Sequence, residues 1–168
     1  FSAPVGLMTG PRSGALHPDR RRRPQRQGWS AGEIEKLLYR QSGLLGVSGL
    51  SADMRTLRAS SAPAAARAIA LFTHRVVRES GALVACLGGV DAIGFTGGIG
   101  EHDATLRAEA GEALAFLGVR LDAPRNRAAD GRAATAIHAP DSSVEVWVVP
   151  TDEGRVAARD AVLLLGGG

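Results

Sequence analysis

Cysteine, lysine and aromatic residues are scarce in this sequence, and long hydrophobic runs are absent. Cys86 is the single cysteine among 168 residues, which excludes an intramolecular disulfide framework and fits a reducing compartment such as the cytoplasm. The longest charge-free apolar stretch near the middle of the chain, residues 81–90, is far shorter than the ~18 residues of a membrane-spanning helix. We therefore expect a cytoplasmic protein without a membrane span, and the order of apolar and basic segments predicts no signal peptide.

Basic charge is concentrated in one short segment. Lys36 is the only lysine among 20 basic residues, and five arginines lie between residues 20 and 26. Without these five charges the formal net charge of +3 would become −2. Residues 15–28 contain no aromatic side chain, so the stacking platform that single-stranded nucleic acids use is missing. We expect no nucleic-acid partner, and nucleic-acid binding through the arginine run is the competing interpretation.

Length and composition predict one domain over residues 1–168. Apolar residues are 45% and charged residues 22%, which are ordinary values for a globular chain that can bury a core. Because the chain opens with Phe1 instead of Met, we expect it to be part of a longer protein unless it was processed. Two strands, each followed by a turn and a helix, predict an α/β fold with a partly parallel sheet.

Capping and stop signals predict the helices. Residues 1–28 show no sustained periodicity and are predicted as loops and turns with weak strand content. Ser30 and Glu33 form a capping box that begins a helix. Pro63 opens a long amphipathic helix, on whose buried side Cys86 is expected. The apolar stripe of that helix is predicted to consist of Ile69, Phe72, Val76, Val77, Leu83, Val84 and Leu87.

The remaining elements are shorter. Ser51 is placed to cap a short helix, and residues 92–96 predict a buried strand. Residues 122–139 are interpreted as a loop that ends in a weak strand. Residues 144–149 form the best strand of the sequence, and a final helix is predicted from Arg155 to about residue 165.

Two glycine-containing loops are candidate anion sites. Residues 95–101, FTGGIGE, join a strand to a helix, where glycines let the backbone approach a phosphate and the helix start supplies N–H groups. This segment is neither a Walker loop nor the dinucleotide fingerprint, and a tight connection is its plain structural alternative. Arg12 lies between Gly10 and Gly14. It either donates two hydrogen bonds to phosphate or carboxylate oxygens, or it is an ordinary arginine in contact with solvent.

Two further segments place charges at helix starts. Residues 150–153, PTDE, follow the best strand, where a carboxylate is placed to hold magnesium. Helix capping by Thr151 or Asp152 is the alternative, and the two roles are compatible. Asp53 and Arg55 are two residues apart. They are either polar contacts for a base or ribose, or part of a capped turn whose charges face solvent.

Together these segments occur in the order and spacing of a known family. Five motifs closely resemble the C-terminal part of acetate kinase: residues 6–14 (GLMTGPRSG), 41–49 (QSGLLGVSG), 51–55 (SADMR), 95–101 and 150–153. The resemblance is weakest at residues 122–135 and in the divergent basic segment 15–28. Propionate kinase and other short-chain carboxylate kinases share these motifs. The resemblance implies the ribonuclease-H-like α/β fold of the sugar kinase, heat-shock ATPase and actin superfamily.

The resemblance also implies a reaction and its residues. The γ-phosphoryl group of ATP is transferred reversibly to acetate, giving acetyl phosphate and ADP, with Mg²⁺ bound by Glu153 and the transition state stabilised by Arg12. The adenosine is held by Asp53, Met54 and Arg55. A second nucleotide-binding loop consists of Gly98, Ile99, Gly100, Glu101 and His102. The complete enzyme is implied to be a homodimer whose N-terminal domain carries the acetate pocket.

The sequence departs from the family pattern at several of these positions. His102 stands where the family has Asn, and Gly154 stands where the family has a second Glu. Because this chain corresponds to most of the second of two domains, we expect the isolated fragment to be inactive. A non-catalytic remnant that only binds nucleotide is the competing hypothesis.

Overall fold

The computed structural model describes residues 6–151 of a chain that divides into two compact units, Phe1–Gly89 and Val90–Gly168. Helices make up the regular structure of the first unit over its described residues, whereas the second unit combines helices with a sheet. The predicted α/β fold class is therefore confirmed. The assignment of residues 1–168 to one domain stays a prediction.

The elements are short except for one helix. The first unit contains α1 (Pro18–Arg26), α2 (Ala31–Arg40), α3 (Gly43–Ser48), α4 (Met54–Arg58) and α5 (Pro63–Leu87). The second unit contains β1 (Ala92–Phe95), α6 (Gly97–His102), α7 (Ala104–Ala113), a 3₁₀ turn (Ala115–Leu117), α8 (Ala123–Ala128), β2 (Thr135–Ala136) and β3 (Glu145–Val148). No helix among residues 6–151 is long and apolar enough to cross a membrane.

The core of the first unit lies between α5 and the two short helices α3 and α4. It is formed by Leu44, Met54, Leu57, Ala65, Ala68 and Phe72, with Met8 from the preceding loop. A helix of 25 residues is about 38 Å long, so helices of 6 and 5 residues cover only its first part. The prediction of a buried stripe is therefore wrong at Leu83 and Leu87, which are 63% and 76% exposed, and Cys86 is exposed instead of lying in the core.

The arginine-rich segment forms helix α1, contrary to the predicted loop. His17 precedes the helix, and its Nδ1 accepts a hydrogen bond from the Asp19 N–H (3.4 Å). Asp19 lies in the first turn, while Arg23 and Arg26 lie in the last, the arrangement that the helix dipole favours. Arginine is also a good helix former, and the side chains of Arg20, Arg22, Arg23 and Arg26 are exposed to solvent, which screens their charges. Local propensity thus outweighs the repulsion among these charges and the missing N–H of Pro24.

Capping explains where the other helices of the first unit begin and end. The predicted capping box is confirmed: Ser30 Oγ accepts from the Glu33 N–H (3.3 Å), and the Glu33 carboxylate accepts from the Ser30 N–H (2.8 Å). Helix α5 ends at Gly88, whose φ of +74° lies in the left-handed region. The short helix α4 begins after Asp53 instead of Ser51, because Asp53 Oδ1 accepts from the Arg55 N–H (2.7 Å).

The sheet of the second unit has the order β1–β3–β2. Strand β1 pairs in parallel with β3, from Ala92 beside Glu145 to Phe95 beside Val148, and β2 pairs antiparallel with β3. The predicted partly parallel sheet is confirmed. Because β1 lies at the edge of the described sheet, only Phe95 of this strand is buried, and the prediction of a buried strand is wrong for its other residues.

The core of the second unit forms around the central strand. Buried apolar side chains come from β3 and its neighbours: Leu106, Ala110, Leu114, Val119, Ile137, Val144, Val146 and Val148. The predicted loop at residues 122–139 contains helix α8, because Asp122 Oδ1 caps it by accepting from the Arg125 N–H (2.9 Å). The predicted final helix from Arg155 lies outside the described residues.

Candidate functional site

The loop that carries Arg12 is bonded to the start of α3. The Thr9 carbonyl accepts a hydrogen bond from the Leu44 N–H (3.1 Å), and the Ser13 N–H donates to the Leu38 carbonyl at the end of α2 (3.0 Å). Two more backbone bonds join the same segments, Leu45 N–H to Gly10 O (3.0 Å) and Ser42 N–H to Pro11 O (2.9 Å). The main chain around Arg12 is therefore held on both sides while its side chain is exposed.

Gly43 makes this close approach possible. Its φ is +61°, and a Cβ at this position would lie 2.1 Å from the Thr9 carbonyl oxygen and 2.7 Å from the Arg12 carbonyl oxygen. Any side chain here would push the loop away from α3. The motif containing Gly43 thus positions the motif containing Arg12, which explains why both glycine-rich segments are present.

The Arg12 loop also lies against the segment that precedes α4. A Cβ on Gly10 would lie 2.4 Å from the Ala52 carbonyl oxygen, so the two backbones are in direct contact. Ala52 is the residue immediately before Asp53. Within the first unit, the structure therefore brings together two segments that the sequence analysis selected separately.

Asp53 and Arg55 form an ion pair at the start of α4. The Arg55 Nη2 donates to Asp53 Oδ2 (2.8 Å), and Asp53 Oδ1 accepts from the backbone N–H groups of Arg55 (2.7 Å) and Thr56 (3.3 Å). The side-chain hydrogen bond from Arg55, followed by the backbone bonds, lowers the pKa of Asp53 to about 2. Met54 between them is 5% exposed and packs in the core, so only its backbone can face a ligand.

The glycine-rich segment of the second unit is one helical turn, not an open loop. Helix α6 begins at Gly97, with φ +72°, and Thr96 before it makes no side-chain cap. The Gly97 N–H donates instead to Glu101 Oε1 (2.8 Å), four residues later. Gly98 and His102 are exposed, and Ile99 and Gly100 are half-buried.

Glu101 also reaches the end of the neighbouring parallel strand. Its Oε1 accepts from the Thr151 N–H (3.0 Å) and from the Thr151 hydroxyl (2.9 Å). The side chain is buried, with an exposure of 8%. These hydrogen bonds, the Thr151 N–H first, lower the pKa of Glu101 against the opposing effect of desolvation, so the group is a carboxylate at neutral pH.

Arg107 is a buried residue that the sequence reasoning missed. Its exposure is 0%, and its guanidinium donates to the carbonyls of Gly100 (2.9 Å), Glu101 (2.8 Å) and Ala129 (3.1 Å). It also donates to Asn126 Oδ1 and Asn126 O, both at 2.7 Å. Desolvation lowers the pKa of Arg107. The carbonyl oxygens around it accept hydrogen bonds from the charged guanidinium. Arg107 thus connects the end of α6 to α8.

Helical spacing could have identified Arg107. Counting from this residue, Ala110, Gly111 and Leu114 follow at three, four and seven positions, and all three are buried. An arginine on such a stripe must find acceptors inside the fold. Two of the carbonyls it uses, those of Asn126 and Ala129, come from residues 19 and 22 positions away, which sequence spacing could not show.

The predicted magnesium site depends on a single carboxylate, that of Glu153. No group of three His, Cys, Asp or Glu side chains among residues 6–151 is placed to hold a metal ion. The predicted ligand Glu153 lies outside these residues, two positions after Thr151. A magnesium site completed by phosphate and water needs only one or two carboxylates, so the chemistry of a single glutamate here fits that metal.

The predicted site residues thus fall into two groups. Arg12 and residues 53–55 lie in the first unit, and residues 98–102 lie in the second, beside the end of β3. The assignments of these residues and of Glu153 to ATP, catalysis and magnesium stay predictions.

Comparison with known proteins identifies the family. The family model described as the Acetokinase family matches residues 2–159. Acetate kinase from Rhodopseudomonas palustris is 51% identical over 169 residues, which cover 100% of this chain and 42% of that protein. The crystal structure of Porphyromonas gingivalis acetate kinase superposes with a TM-score of 0.86 at 35% identity, covering 98% of this chain and 42% of that chain. A propionate kinase structure from Francisella tularensis gives 0.77 at 35% identity, covering 89% and 38%.

The chain thus spans about two fifths of the length of the relatives it matches. The match extends over almost all of its residues, including the Arg12 loop, the α4 start and the α6 turn, and the α/β architecture is shared with solved acetate kinases. This chain belongs to the acetokinase family.

Proposed function

We propose that this chain is the nucleotide-binding part of an acetate kinase, which transfers the γ-phosphoryl group of ATP reversibly to acetate, giving acetyl phosphate and ADP. The observation that carries the proposal is the backbone contact between Gly10 and Ala52, with Gly43 enclosed by the same loop. This contact places the exposed Arg12 and the Asp53–Arg55 ion pair on neighbouring segments, in a chain that belongs to the acetokinase family.

Each proposed residue has a physical role. The Arg12 guanidinium, whose main chain is held by α2 and α3, would donate two parallel hydrogen bonds to the oxygens of the phosphoryl group in transfer. Asp53 and Arg55 would present an acceptor and donors to the adenosine, and Met54 would support them from the core. Gly98 and His102 are exposed, and we propose the backbone of the first and the side chain of the second as nucleotide contacts.

Mg²⁺ is the metal that fits the proposed site. Glu153 would bind it together with the phosphates and water, and the bound ion would neutralise phosphate charge. Acetate would be bound by the part of the relatives that this chain does not span, so the complete enzyme needs that part, and we propose a homodimer for it. A cytoplasmic location, where ATP is available, accords with the single thiol of Cys86.

A chimera tests this proposal. The segment of Rhodopseudomonas palustris acetate kinase that aligns with this chain is replaced by residues 1–168, and acetyl phosphate formation is measured with ATP, Mg²⁺ and acetate. We expect turnover with acetate and a higher Mg²⁺ requirement for the Glu153→Gln variant, because a neutral amide is a poorer ligand for a hard cation. A chimera that melts like the parent enzyme but forms no acetyl phosphate would contradict the proposal.

Propionate is the alternative acceptor, because a propionate kinase is among the structures that this chain resembles. The same assay with propionate in place of acetate distinguishes the two. A larger kcat/KM for propionate than for acetate in the chimera, with the parent enzyme preferring acetate, would assign the preference to this chain.

A further inference from the structure

One oxygen of the Glu101 carboxylate, Oε1, is held by three donors of the protein itself. Its Oε1 accepts hydrogen bonds from the Gly97 N–H (2.8 Å), the Thr151 N–H (3.0 Å) and the Thr151 hydroxyl (2.9 Å). The side chain is 8% exposed, so water does not compete strongly for these donors. Such charge-assisted hydrogen bonds are about twice as strong as neutral ones.

These bonds join two segments that meet because of the sheet topology. Strands β1 and β3 are parallel neighbours, so their carboxyl ends lie at the same edge of the sheet. Helix α6 follows β1, and Thr151 follows β3. Glu101 is the side chain that bridges the two segments just beyond the last backbone bond, from the Val149 N–H to the Phe95 carbonyl (2.8 Å).

We propose that Glu101 is a positioning residue, which fixes the turn that contacts the nucleotide to the segment that leads into the magnesium ligand. The inference rests on the proposed function, because it uses the roles assigned there to residues 98–102 and to Glu153. It changes the role of Glu101 itself: its Oε1 is committed to Gly97 and Thr151 and acts on the nucleotide through the position of the turn.

Amide hydrogen exchange on the 168-residue chain tests the bridge without any substrate. Glu101→Ala is expected to accelerate exchange at both Gly97 and Thr151 about tenfold, the loss of one charge-assisted hydrogen bond at each. The Val149 amide reports whether the β1–β3 pair is intact. Where Glu101→Ala disrupts that pair, Glu101→Leu, which has a similar size and no acceptor oxygen, is measured instead. Unchanged rates at Gly97 or Thr151 with an intact strand pair overturn the proposal.

Kinetics in the chimera separate positioning from direct contact. Thr151→Val and Glu101→Ala are each expected to raise the half-saturating Mg²⁺ concentration about threefold to tenfold, while kcat at saturating Mg²⁺ changes less than about twofold. The double variant should be no worse than Glu101→Ala alone, because Glu101→Ala already removes the hydrogen bond that Thr151→Val deletes. Thr151→Ser keeps the hydroxyl donor and serves as the matched control with near-normal behaviour.

The outcomes are distinguishable from a failure of the proposed function. Additive effects of Glu101→Ala and Thr151→Val, or no effect of Thr151→Val, overturn the positioning role in an active chimera. A chimera without acetyl phosphate formation contradicts the proposed function, and the exchange experiment then decides on Glu101 by itself.

Discussion

Arg12 has an exposed side chain on a main chain that is held by hydrogen bonds to α2 and α3. This combination suits a group that must meet a transferring phosphoryl group in one orientation, because little reorganisation is needed when charge develops. Arg12→Ala in the chimera is therefore expected to lower kcat by about 10³ or more. Its melting temperature should be almost unchanged, since an exposed side chain contributes about ±0.5 kcal/mol.

The matched control for Arg12 is Arg22→Ala, which removes another exposed arginine of the first unit from α1. Coupled assays give kcat and thermal melts give the melting temperature of each variant, so that the loss of one positive charge is compared at the two positions. A similar kcat for Arg12→Ala and Arg22→Ala would remove Arg12 from the catalytic assignment.

Asp53 is expected to stay ionised in acid. Its pKa is lowered to about 2 from an ordinary 3.8, first by the side-chain hydrogen bond from Arg55. A group with a lowered folded-state pKa stabilises the fold above its unfolded pKa, and this contribution is lost as pH falls toward 2. Carboxyl NMR titration of the chain should show a midpoint near 2, moving toward 4 in Arg55→Ala. A midpoint near 4 in the unmodified chain would mean that the ion pair does not persist in solution.

At the scale of elements, the Arg12 loop can pack on α3 because Gly43 has no side chain. Gly43→Ala places a methyl group 2.1 Å from the Thr9 carbonyl oxygen and is expected to destabilise the chain by about 3 kcal/mol or more. Gly49→Ala is the control, because its φ of +65° matches the +61° of Gly43 but no atom lies within 4 Å. That variant should cost only the left-handed strain of about 1–2 kcal/mol. Urea unfolding measures both, and equal losses would refute the close packing.

Arg107 is expected to hold α6, α7 and α8 together. Its guanidinium satisfies four backbone carbonyls and the Asn126 side chain, so Arg107→Ala leaves buried acceptors without donors. We expect a loss of about 3 kcal/mol or more in the free energy of unfolding. Arg132→Ala removes an arginine whose side chain is 90% exposed and should change it by about 0.5 kcal/mol or less. Similar urea midpoints for the two variants would contradict the structural role.

At the scale of the whole molecule, the chain represents about two fifths of its relatives. A site that closes over ATP excludes water and aligns the acceptor, and a partial site cannot do either. The 168-residue chain alone should therefore form no acetyl phosphate above background. It should bind ADP no more tightly than about 100 μM, roughly −5.5 kcal/mol.

Calorimetry with ADP and a coupled assay on the purified chain check this expectation. The chimera is the positive control, because it differs only by the remaining part of the relative. A low-micromolar dissociation constant for the chain alone, or turnover that disappears in Arg12→Ala, would show that these residues form a more complete site than we propose.

Local sequence signals determined much of the secondary structure. The capping box at Ser30 and Glu33, the stop at Gly88 and the alternation in β3 are short-range patterns, which depend on residues a few positions apart. The same local character explains the errors: the missing periodicity of residues 1–28 suggested loops, although the arginine propensity and the helix dipole favour a helix at α1. The family and the order of its motifs were also readable from sequence, because motif spacing is itself a sequence property.

Tertiary structure alone decided which groups are enclosed and which groups meet. Leu83 and Cys86 lie on a helix long enough to extend past its short neighbours, so their apolar character did not predict burial. The bridge from Glu101 to Thr151 joins residues 50 positions apart, and Arg107 bonds to carbonyls up to 22 positions away. Such contacts depend on parallel strand pairing and on space left in the core, which are properties of the folded chain and have no local signature.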